Sequence, residues 1–277
     1  MLEEDTIMVK QLPRTIIIRT AGTNCDYETQ AAFALAGSAA DRVHINRIIE
    51  GSVTLGDYQI LAIPGGFSYG DDIASGKILA SELKHRLGDA LQAFAVAGKP
   101  IIGICNGFQV LVKMGLLPDP AAFEQTTTLT FNDSDKFESR WVYLKRDTTA
   151  PAKTGGRARA VKCLWVSDMP DIISLPVAHG EGKFVAADKK VLDALEKNNQ
   201  IVFRYCDERG NHTGYPLNPN GAANAIAGIT NTAGNVFGLM PHPERYIYCW
   251  QHPSRRASEG EYGWGLNIFK NAVNFVR

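Results

Sequence analysis

One segment of the sequence, KPIIGICNGFQVLVKMGLLP, joins a buried strand to a helix through a cysteine that stands between two glycines. Apolar residues fill positions 100–104, and after Gly107 they recur at helical spacing. The glycines allow strand and helix to approach closely, so Cys105 can be held in a strained conformation with an exposed side chain. The segment predicts either a nucleophile elbow or a tight turn around a small buried cysteine.

Strand and helix patterns alternate through the first half of the chain, with strands predicted at 14–19, 42–48, 58–63 and 100–104 and helices at 27–36 and 73–97. Further strands are predicted at 141–144, 173–177, 200–205, 225–230 and 235–239, and a final helix at 264–276. Such alternation favours an α/β fold with an open, mostly parallel sheet flanked by helices. No linker divides the chain, which predicts a single domain.

Charge and composition narrow the classes of ligand. Lys plus Arg and Asp plus Glu each total 29, so no overall field draws the chain to nucleic acid or to an anionic membrane. No signal peptide and no membrane-length apolar run is visible, which predicts a cytoplasmic protein. The five cysteines fit reduced thiols, and those other than Cys105 are interpreted as structural. We expect a small-molecule or protein ligand.

A nucleophile needs a base, and the segment MPHPER offers a histidine and a glutamate two residues apart. Pro243 holds His242 in an extended conformation, so His242 and Glu244 are expected to face one target. A carboxylate that orients an imidazole, while the other ring nitrogen takes a proton from the nucleophile, is the arrangement of a catalytic triad. The alternative is a proline-rich turn with two exposed polar residues.

The segment AHGEG carries a second pair, His179 and Glu181, with the same offset. Its glycines leave the backbone loose, which suits a loop that approaches a ligand or a partner better than a preorganised catalytic pair. A metal site at this pair lacks a third ligand at a recognisable spacing, and no metal is expected.

Acyl chemistry also needs donors for a developing oxyanion. Gly65 and Gly66 follow a predicted buried strand, where their backbone N–H groups would be exposed at the carboxyl edge of the sheet. The N–H of Asn106, just past the cysteine, would be the second donor. Taken alone, the Pro-Gly-Gly segment is an ordinary turn.

Three strings together, PGG at 64–66, GICNGFQ at 103–109 and PHPE at 241–244, resemble the class I (triad-type) glutamine amidotransferase family. Longer strings narrow the resemblance to the glutaminase subunits of the purine-biosynthetic synthase that converts formylglycinamide ribonucleotide to its amidine; they are GTNCDYET (22–29), PGGFSYGDDIASGKILA (64–80), PVAHGEGKF (176–184) and GNVFGLMPHPER (234–245). The resemblance implies a flavodoxin-like sheet and one glutamine amidotransferase domain over 1–277, with an N-terminal extension at 1–13.

The resemblance also implies roles for the matching residues. Cys105 would attack the side-chain amide of glutamine, His242 would be the acid and base, and Glu244 would orient His242. Gly65, Gly66 and Asn106 would supply main-chain contacts, and Gln109 would help to hold the substrate. The products would be ammonia and, after hydrolysis of a glutamyl thioester, glutamate.

Ammonia would pass to a separate synthase subunit, and a small accessory subunit would belong to the same complex. We expect no cofactor in this chain, with ATP and magnesium on the synthase subunit. The loop that carries His179 and Glu181 is a candidate contact for that partner. Two other classes remain open: a cysteine hydrolase or peptidase of the same superfamily, and a glutamine-sensing binding module.

Overall fold

The computed structural model of the chain describes residues 11–147, 162–212, 214–254 and 260–277. The strands are β1 (Arg14–Arg19), β2 (Ala39–His44), β3 (Ile60–Ile63), β4 (Ile101–Ile104), β5 (Thr127–Thr130), β6 (Glu138–Arg146), β7 (Ile172–His179), β8 (Lys183–Ala186), β9 (Ile201–Cys206), β10 (Ile226–Thr230) and β11 (Val236–Leu239). The α-helices are α1 (Asp26–Leu35), α2 (Ile45–Ile49), α3 (Lys77–Val96), α4 (Asn106–Met114), α5 (Lys189–Lys197) and α6 (Trp264–Val276).

Within these residues, nine strands form one open sheet in the order β2-β1-β3-β4-β11-β10-β9-β6-β7, and β5 pairs with β8 in a small antiparallel sheet. Strands β2, β1, β3, β4 and β11 run parallel to one another, whereas β10, β9, β6 and β7 continue the sheet in antiparallel fashion. The prediction of an open α/β sheet is confirmed, with its parallel strands grouped in one half.

The parallel half determines where a site can form. Strands β1, β3, β4 and β11 are consecutive neighbours, so their carboxyl ends lie along one edge of the sheet. Gly103 of β4 pairs with Ile63 of β3 on one side and with Gly238 of β11 on the other. The segments that follow these strands are therefore brought together at the edge where ligands of α/β proteins bind.

Helices pack in pairs beside this sheet. Helix α1 packs on α6, where the Phe33 and Phe269 rings meet edge to face with centroids 4.9 Å apart. Helix α3 packs on α4, and α4 contacts β3, β4 and β11. Strands β3 and β4 are buried along their whole length, as their continuous apolar runs predict. The core thus holds rigidly the strands that carry the site.

Several elements differ from the sequence predictions. The strand predicted at 42–48 was wrong in its second half, because the chain turns into α2 after His44, whose ring accepts a hydrogen bond from the Asn46 backbone N–H. Strands β5 and β8 and helix α5 were not predicted. Most of the predicted N-terminal extension, residues 1–10, lies outside the described residues. Within the described ranges, every helix is too short or too polar to cross a bilayer.

Candidate active site

Cys105 occupies a sharp turn between β4 and α4. Its φ of 50° and ψ of −107° lie in a strained region for a residue with a side chain, a conformation that costs on the order of 1–3 kcal/mol. A Cβ at Gly107 would collide with the Ile63 carbonyl, and one at Gly103 would lie 2.5 Å from the Gly107 carbonyl oxygen. The glycines are thus required by close contact, and this geometry is that of a nucleophile elbow.

The segment after β11 brings a base to the same edge. His242 and Glu244 are both 2% exposed, and Nδ1 of His242 lies 2.6 Å from Oε1 of Glu244. The His242 backbone N–H donates to the Pro176 carbonyl, which fixes the segment to β7. His242 is extended as Pro243 requires, but Pro243–Arg245 forms one turn of 3₁₀-helix rather than an extended chain. The predicted pair therefore forms through a turn.

Charges around His242 favour its protonated form. Burial by itself lowers the pKa of an imidazole, but the Glu244 carboxylate and the charge on Cys105 outweigh it and hold the pKa of His242 well above its usual value. Cys105 interacts directly with the imidazole. The three side chains thus lie side by side in space: the Cys105 sulfur contacts the His242 imidazole, which in turn contacts the Glu244 carboxylate.

The predicted main-chain donors lie beside this group. A Cβ at Gly65 would lie 2.9 Å from Cε1 of His242 and 3.4 Å from Cβ of Cys105, so only a glycine backbone fits there without displacement. Gly66 has a φ of 139° and bridges to Thr23. Asn106 is the first residue of α4, where backbone N–H groups have no intrahelical acceptor. Gly65 and Asn106 thus lie beside Cys105, and the predicted main-chain contacts of Gly65, Gly66 and Asn106 with substrate stay predictions.

Side-chain amides hold this region together. Oδ1 of Asn106 accepts from the Ser68 backbone N–H at 3.3 Å, and its Nδ2 donates to Asp71 at 3.1 Å and to Oε1 of Gln109 at 3.0 Å. Nε2 of Gln109 donates to the Glu181 carbonyl at 2.5 Å. Both ends of the Gln109 amide therefore have protein partners, and its predicted contact with substrate glutamine stays a prediction.

The AHGEG segment lies against the site. The Ala178 carbonyl is 3.7 Å from Sγ of Cys105, and the Glu181 carboxylate accepts from the Ser75 backbone N–H. His179 is 3% exposed, and its Nδ1 lies 3.1 Å from Oδ1 of Asn132. The ring of His179 faces inward, so it is not itself exposed to a partner, and the predicted partner contact of this loop stays a prediction. Burial lowers the pKa of His179 to about 4, so the ring is neutral.

The sequence interpretation missed Cys25 as part of this region. Cys25 is 1% exposed, and its Sγ accepts a hydrogen bond from Nη2 of Arg245 at 3.1 Å, while Nε of Arg245 bonds Glu28 at 3.2 Å. Burial raises the pKa of the Cys25 thiol, although its interaction with the nearby His242 opposes the rise. One signal could have found Cys25: it follows β1, which ends at the same sheet edge as the other segments.

Comparisons with known proteins agree with this geometry. A family model described as a CobB/CobQ-like glutamine amidotransferase domain matches residues 12–276. The chain is 46% identical over 267 residues to phosphoribosylformylglycinamidine synthase subunit PurQ of Dehalococcoides mccartyi, covering 95% of this chain and 98% of the relative. The protein of the same name from Archaeoglobus fulgidus is 41% identical over 278 residues, covering 95% and 97%.

A solved structure gives the same similarity in three dimensions. One chain in the structure of PurLQS from Thermotoga maritima superposes with a TM-score of 0.71 at 30% sequence identity. The match covers 96% of the present chain and 100% of that chain. The similarity therefore extends over nearly the whole chain.

Proposed function

This chain belongs to the CobB/CobQ-like glutamine amidotransferase family and, within it, to the PurQ subunits of phosphoribosylformylglycinamidine synthase, and we propose that it releases ammonia from glutamine with Cys105, His242 and Glu244. The observation that carries the proposal is the meeting of the strained Cys105 with the buried His242–Glu244 pair at one sheet edge. A glycine-framed elbow and a carboxylate-oriented imidazole are the parts that acyl transfer needs.

The first half of the reaction forms a thioester. Sγ of Cys105 attacks the side-chain amide carbon of glutamine, and the carbonyl oxygen takes up negative charge in the tetrahedral intermediate. The N–H groups of Gly66 and Asn106 are the proposed donors to that oxygen, and loss of one such donor costs about 100-fold or more in rate. His242, whose pKa favours the proton-bearing form, donates its proton to the leaving nitrogen as ammonia departs.

The second half releases glutamate. The neutral His242 then takes a proton from a water molecule, which attacks the thioester carbon and displaces the Cys105 thiolate. Glu244 holds Nδ1 throughout, so the same imidazole tautomer and orientation serve both proton transfers. Gln109 is proposed to act on the substrate side of this site, close to the Glu181 backbone.

Ammonia is proposed to pass to a synthase subunit. The structure of the Thermotoga maritima relative is one of PurLQS, which supports an assembly with partner subunits. We assign ATP and magnesium to that synthase subunit and no cofactor to this chain, with conversion of formylglycinamide ribonucleotide to its amidine on the partner. A small accessory subunit completes the proposed complex.

Glutamate release by purified variants, assayed with the synthase subunit, ATP and formylglycinamide ribonucleotide present, tests the activity. Cys105→Ala and His242→Ala should each lower the rate by several orders of magnitude, as loss of a triad member does. Cys163→Ala, which removes a buried thiol elsewhere in the core, is the matched control and should retain activity. Full activity in Cys105→Ala would refute the proposal, and release of products from peptides or other amides instead of glutamine would favour a hydrolase.

A further inference from the structure

Three side chains with metal-binding atoms meet beside the nucleophile. Cys25, His242 and Glu244 each offer one ligand atom, and these atoms all lie within 4.8 Å of one another. The residues are 1%, 2% and 2% exposed, respectively. They come from two separate segments, the one after β1 and the one after β11, so the sheet brings them together. Thiolate, imidazole and carboxylate are the ligands from which proteins build zinc sites.

Two buried polar atoms of this cluster lack a hydrogen-bond partner among the described residues. Within the part of the chain that the structure describes, Nε2 of His242 and Oε2 of Glu244 are buried and make no hydrogen bond. Buried polar atoms normally have partners, so two such atoms in one cluster need an explanation. The first is explained by the reaction, in which Nε2 faces the sulfur of the nucleophile. The second is not used by any step of the reaction, because Oε1 alone orients the imidazole.

The space between the ligands is kept open by a glycine. A Cβ at Gly65 would lie 2.9 Å from Cε1 of His242 and 3.1 Å from Sγ of Cys25. A side chain at this position would therefore fill the gap between two of the three ligands. Arg245, which donates to Sγ of Cys25 and interacts with Glu244, supports negative charge on both. The gap is thus lined by a sulfur and a carboxylate that both interact with the Arg245 guanidinium.

We propose that Cys25, His242 and Glu244 form a binding site for a divalent zinc-class cation, and that an occupied site blocks the glutaminase reaction. Three protein ligands with one open position is a common zinc arrangement. The cation would engage the imidazole that must move protons and the carboxylate that orients it. Cys105 needs no part in the site, which separates this proposal from adventitious binding of zinc to a reactive nucleophile.

The deciding measurement is zinc binding by the Cys105→Ala variant. The substitution removes the competing thiol, and the binding measurement needs no enzyme activity. Purified full-length protein, reduced with a phosphine rather than a zinc-binding dithiol, is titrated with zinc against a chromophoric chelator. Cys105→Ala should bind one zinc per chain. Adding Cys25→Ala should weaken binding at least about tenfold, since loss even of an outer-shell partner costs 10- to 100-fold.

Three further variants control for folding and for other thiols. Cys105→Ala/Cys206→Ala removes a buried cysteine remote from the cluster and should bind as tightly as Cys105→Ala. Cys25→Ser preserves side-chain size if Cys25→Ala fails to fold, and should also lose affinity. Gly65→Ala removes no ligand but fills the gap, and should weaken binding. Equal affinity with and without Cys25 in folded protein, or no binding by Cys105→Ala, would overturn the proposed site.

Inhibition is measured separately on chains that retain Cys105. Zinc should stop glutamate release by the wild-type chain, a chelator should restore it, and Cys25→Ser should need at least about tenfold more zinc for the same inhibition. Equal sensitivity of Cys25→Ser would overturn the blocking effect. Only this arm depends on the proposed function: a wild-type chain that releases no glutamate even with the synthase subunit, ATP and formylglycinamide ribonucleotide present would contradict that function and leave the zinc titration as an independent result.

Discussion

Contacts with the surrounding segments hold the backbone of Cys105 in a strained conformation. Gly107 packs against the Ile63 carbonyl, and the Cys105 N–H donates to the Leu239 carbonyl at 2.8 Å. The position of the sulfur is therefore determined by its neighbours rather than by local preference. Strain at a residue persists only where the surrounding structure over-determines it.

Gly107→Ala tests this dependence on close packing. The new Cβ would overlap the Ile63 carbonyl, so strand β3 and helix α4 must separate. We expect a loss of about 2–4 kcal/mol in the free energy of unfolding, measured by urea denaturation. Gly56→Ala is the control: its Cβ would meet nothing nearer than Cγ2 of Thr54 at 3.6 Å, and it should be nearly neutral. Equal stability of the two variants would contradict this account of the elbow.

His179 makes stability depend on pH. Burial lowers its pKa to about 4 in the folded chain, against about 6.5 when unfolded. Between these values the unfolded chain binds a proton that the folded chain excludes, so stability is fully present above about pH 6.5 and is lost as the pH falls towards 4. The ring has little room to move, because a Cβ at Gly182 would collide with it.

The contribution of His179 is isolated by a variant that does not titrate. Between pH 7 and pH 4.5 the wild-type chain should lose about 2 kcal/mol more stability than His179→Gln, measured by denaturant unfolding at both pH values. The variant removes the difference because its amide has no proton to gain in this range. Parallel loss of stability in both proteins would show that the His179 ring does not exclude a proton when folded.

At the scale of elements, the segment after β3 is fastened to α4 by a side chain. Asn106 joins the Ser68 backbone and the Asp71 carboxylate to the start of the helix. Removing the Asn106 side chain leaves the backbone N–H of residue 106 in place but breaks one attachment of the segment that carries Gly66. The orientation of the Gly66 N–H therefore depends on a contact made by another element.

Asn106→Ala should lower kcat for glutamate release by about 10- to 100-fold with a smaller change in KM, because the donors act mainly on the transition state. Steady-state kinetics of the purified chain, with the synthase subunit present, provides the measurement. Asn211→Ala, in a turn where the Asn211 side chain donates a hydrogen bond to Asp207, is the matched control and should leave kcat unchanged. An unchanged kcat in Asn106→Ala would exclude a positioning role for its side chain.

Elements with continuous or periodic apolar patterns could be predicted from the sequence. Helix α6 begins and ends at the predicted residues, and β1 agrees in both bounds. Among the missed elements, β8 has a single buried residue within four, and its conformation depends on β5, a partner distant in sequence. Helix α5 differs: its apolar residues recur at helical spacing, and the sequence interpretation overlooked them.

The site residues also fall into two groups: those that local sequence patterns identify and those that they do not. Cys105, His242 and Glu244 could be identified because each stands in a segment with its own local constraint, glycine or proline. Cys25 has no such local signal, and its importance arises from the strand order, which a single sequence does not display. The inward-facing ring of His179 likewise depends on Asn132, a residue 47 positions away.

For the whole molecule, the proposed transfer of ammonia requires coordination with a partner. A glutaminase that works alone would release ammonia to solvent, so we expect low activity in the isolated chain and activation by the synthase subunit. A small shift of the segment that carries Gly66 is sufficient, because one misaligned donor lowers the rate about 100-fold or more. This segment follows β3 and is attached to the rest of the site through Asn106 and through backbone hydrogen bonds with residues 21–25.

Glutamate release is therefore measured with and without the synthase subunit, ATP and formylglycinamide ribonucleotide. Cys105→Ala in the complex is the control for glutamine breakdown by the partner. The complex should exceed the isolated chain by at least about tenfold, whereas equal rates would indicate a free-standing glutaminase.

The pairing of Gly103 with Gly238 has a consequence for how the active site is lost. Cys105 and His242 follow two neighbouring strands, so the distance between them depends on the register of the backbone hydrogen bonds between β4 and β11. A slip of one residue would move one segment by about 3.3 Å and turn its side chains to the opposite face. No small drift of the strands leads to a weakened triad: the ladder has discrete registers, and only one of them brings the sulfur to the imidazole. The alignment of Cys105 with His242 is thus either complete or absent, because it follows the register of the sheet.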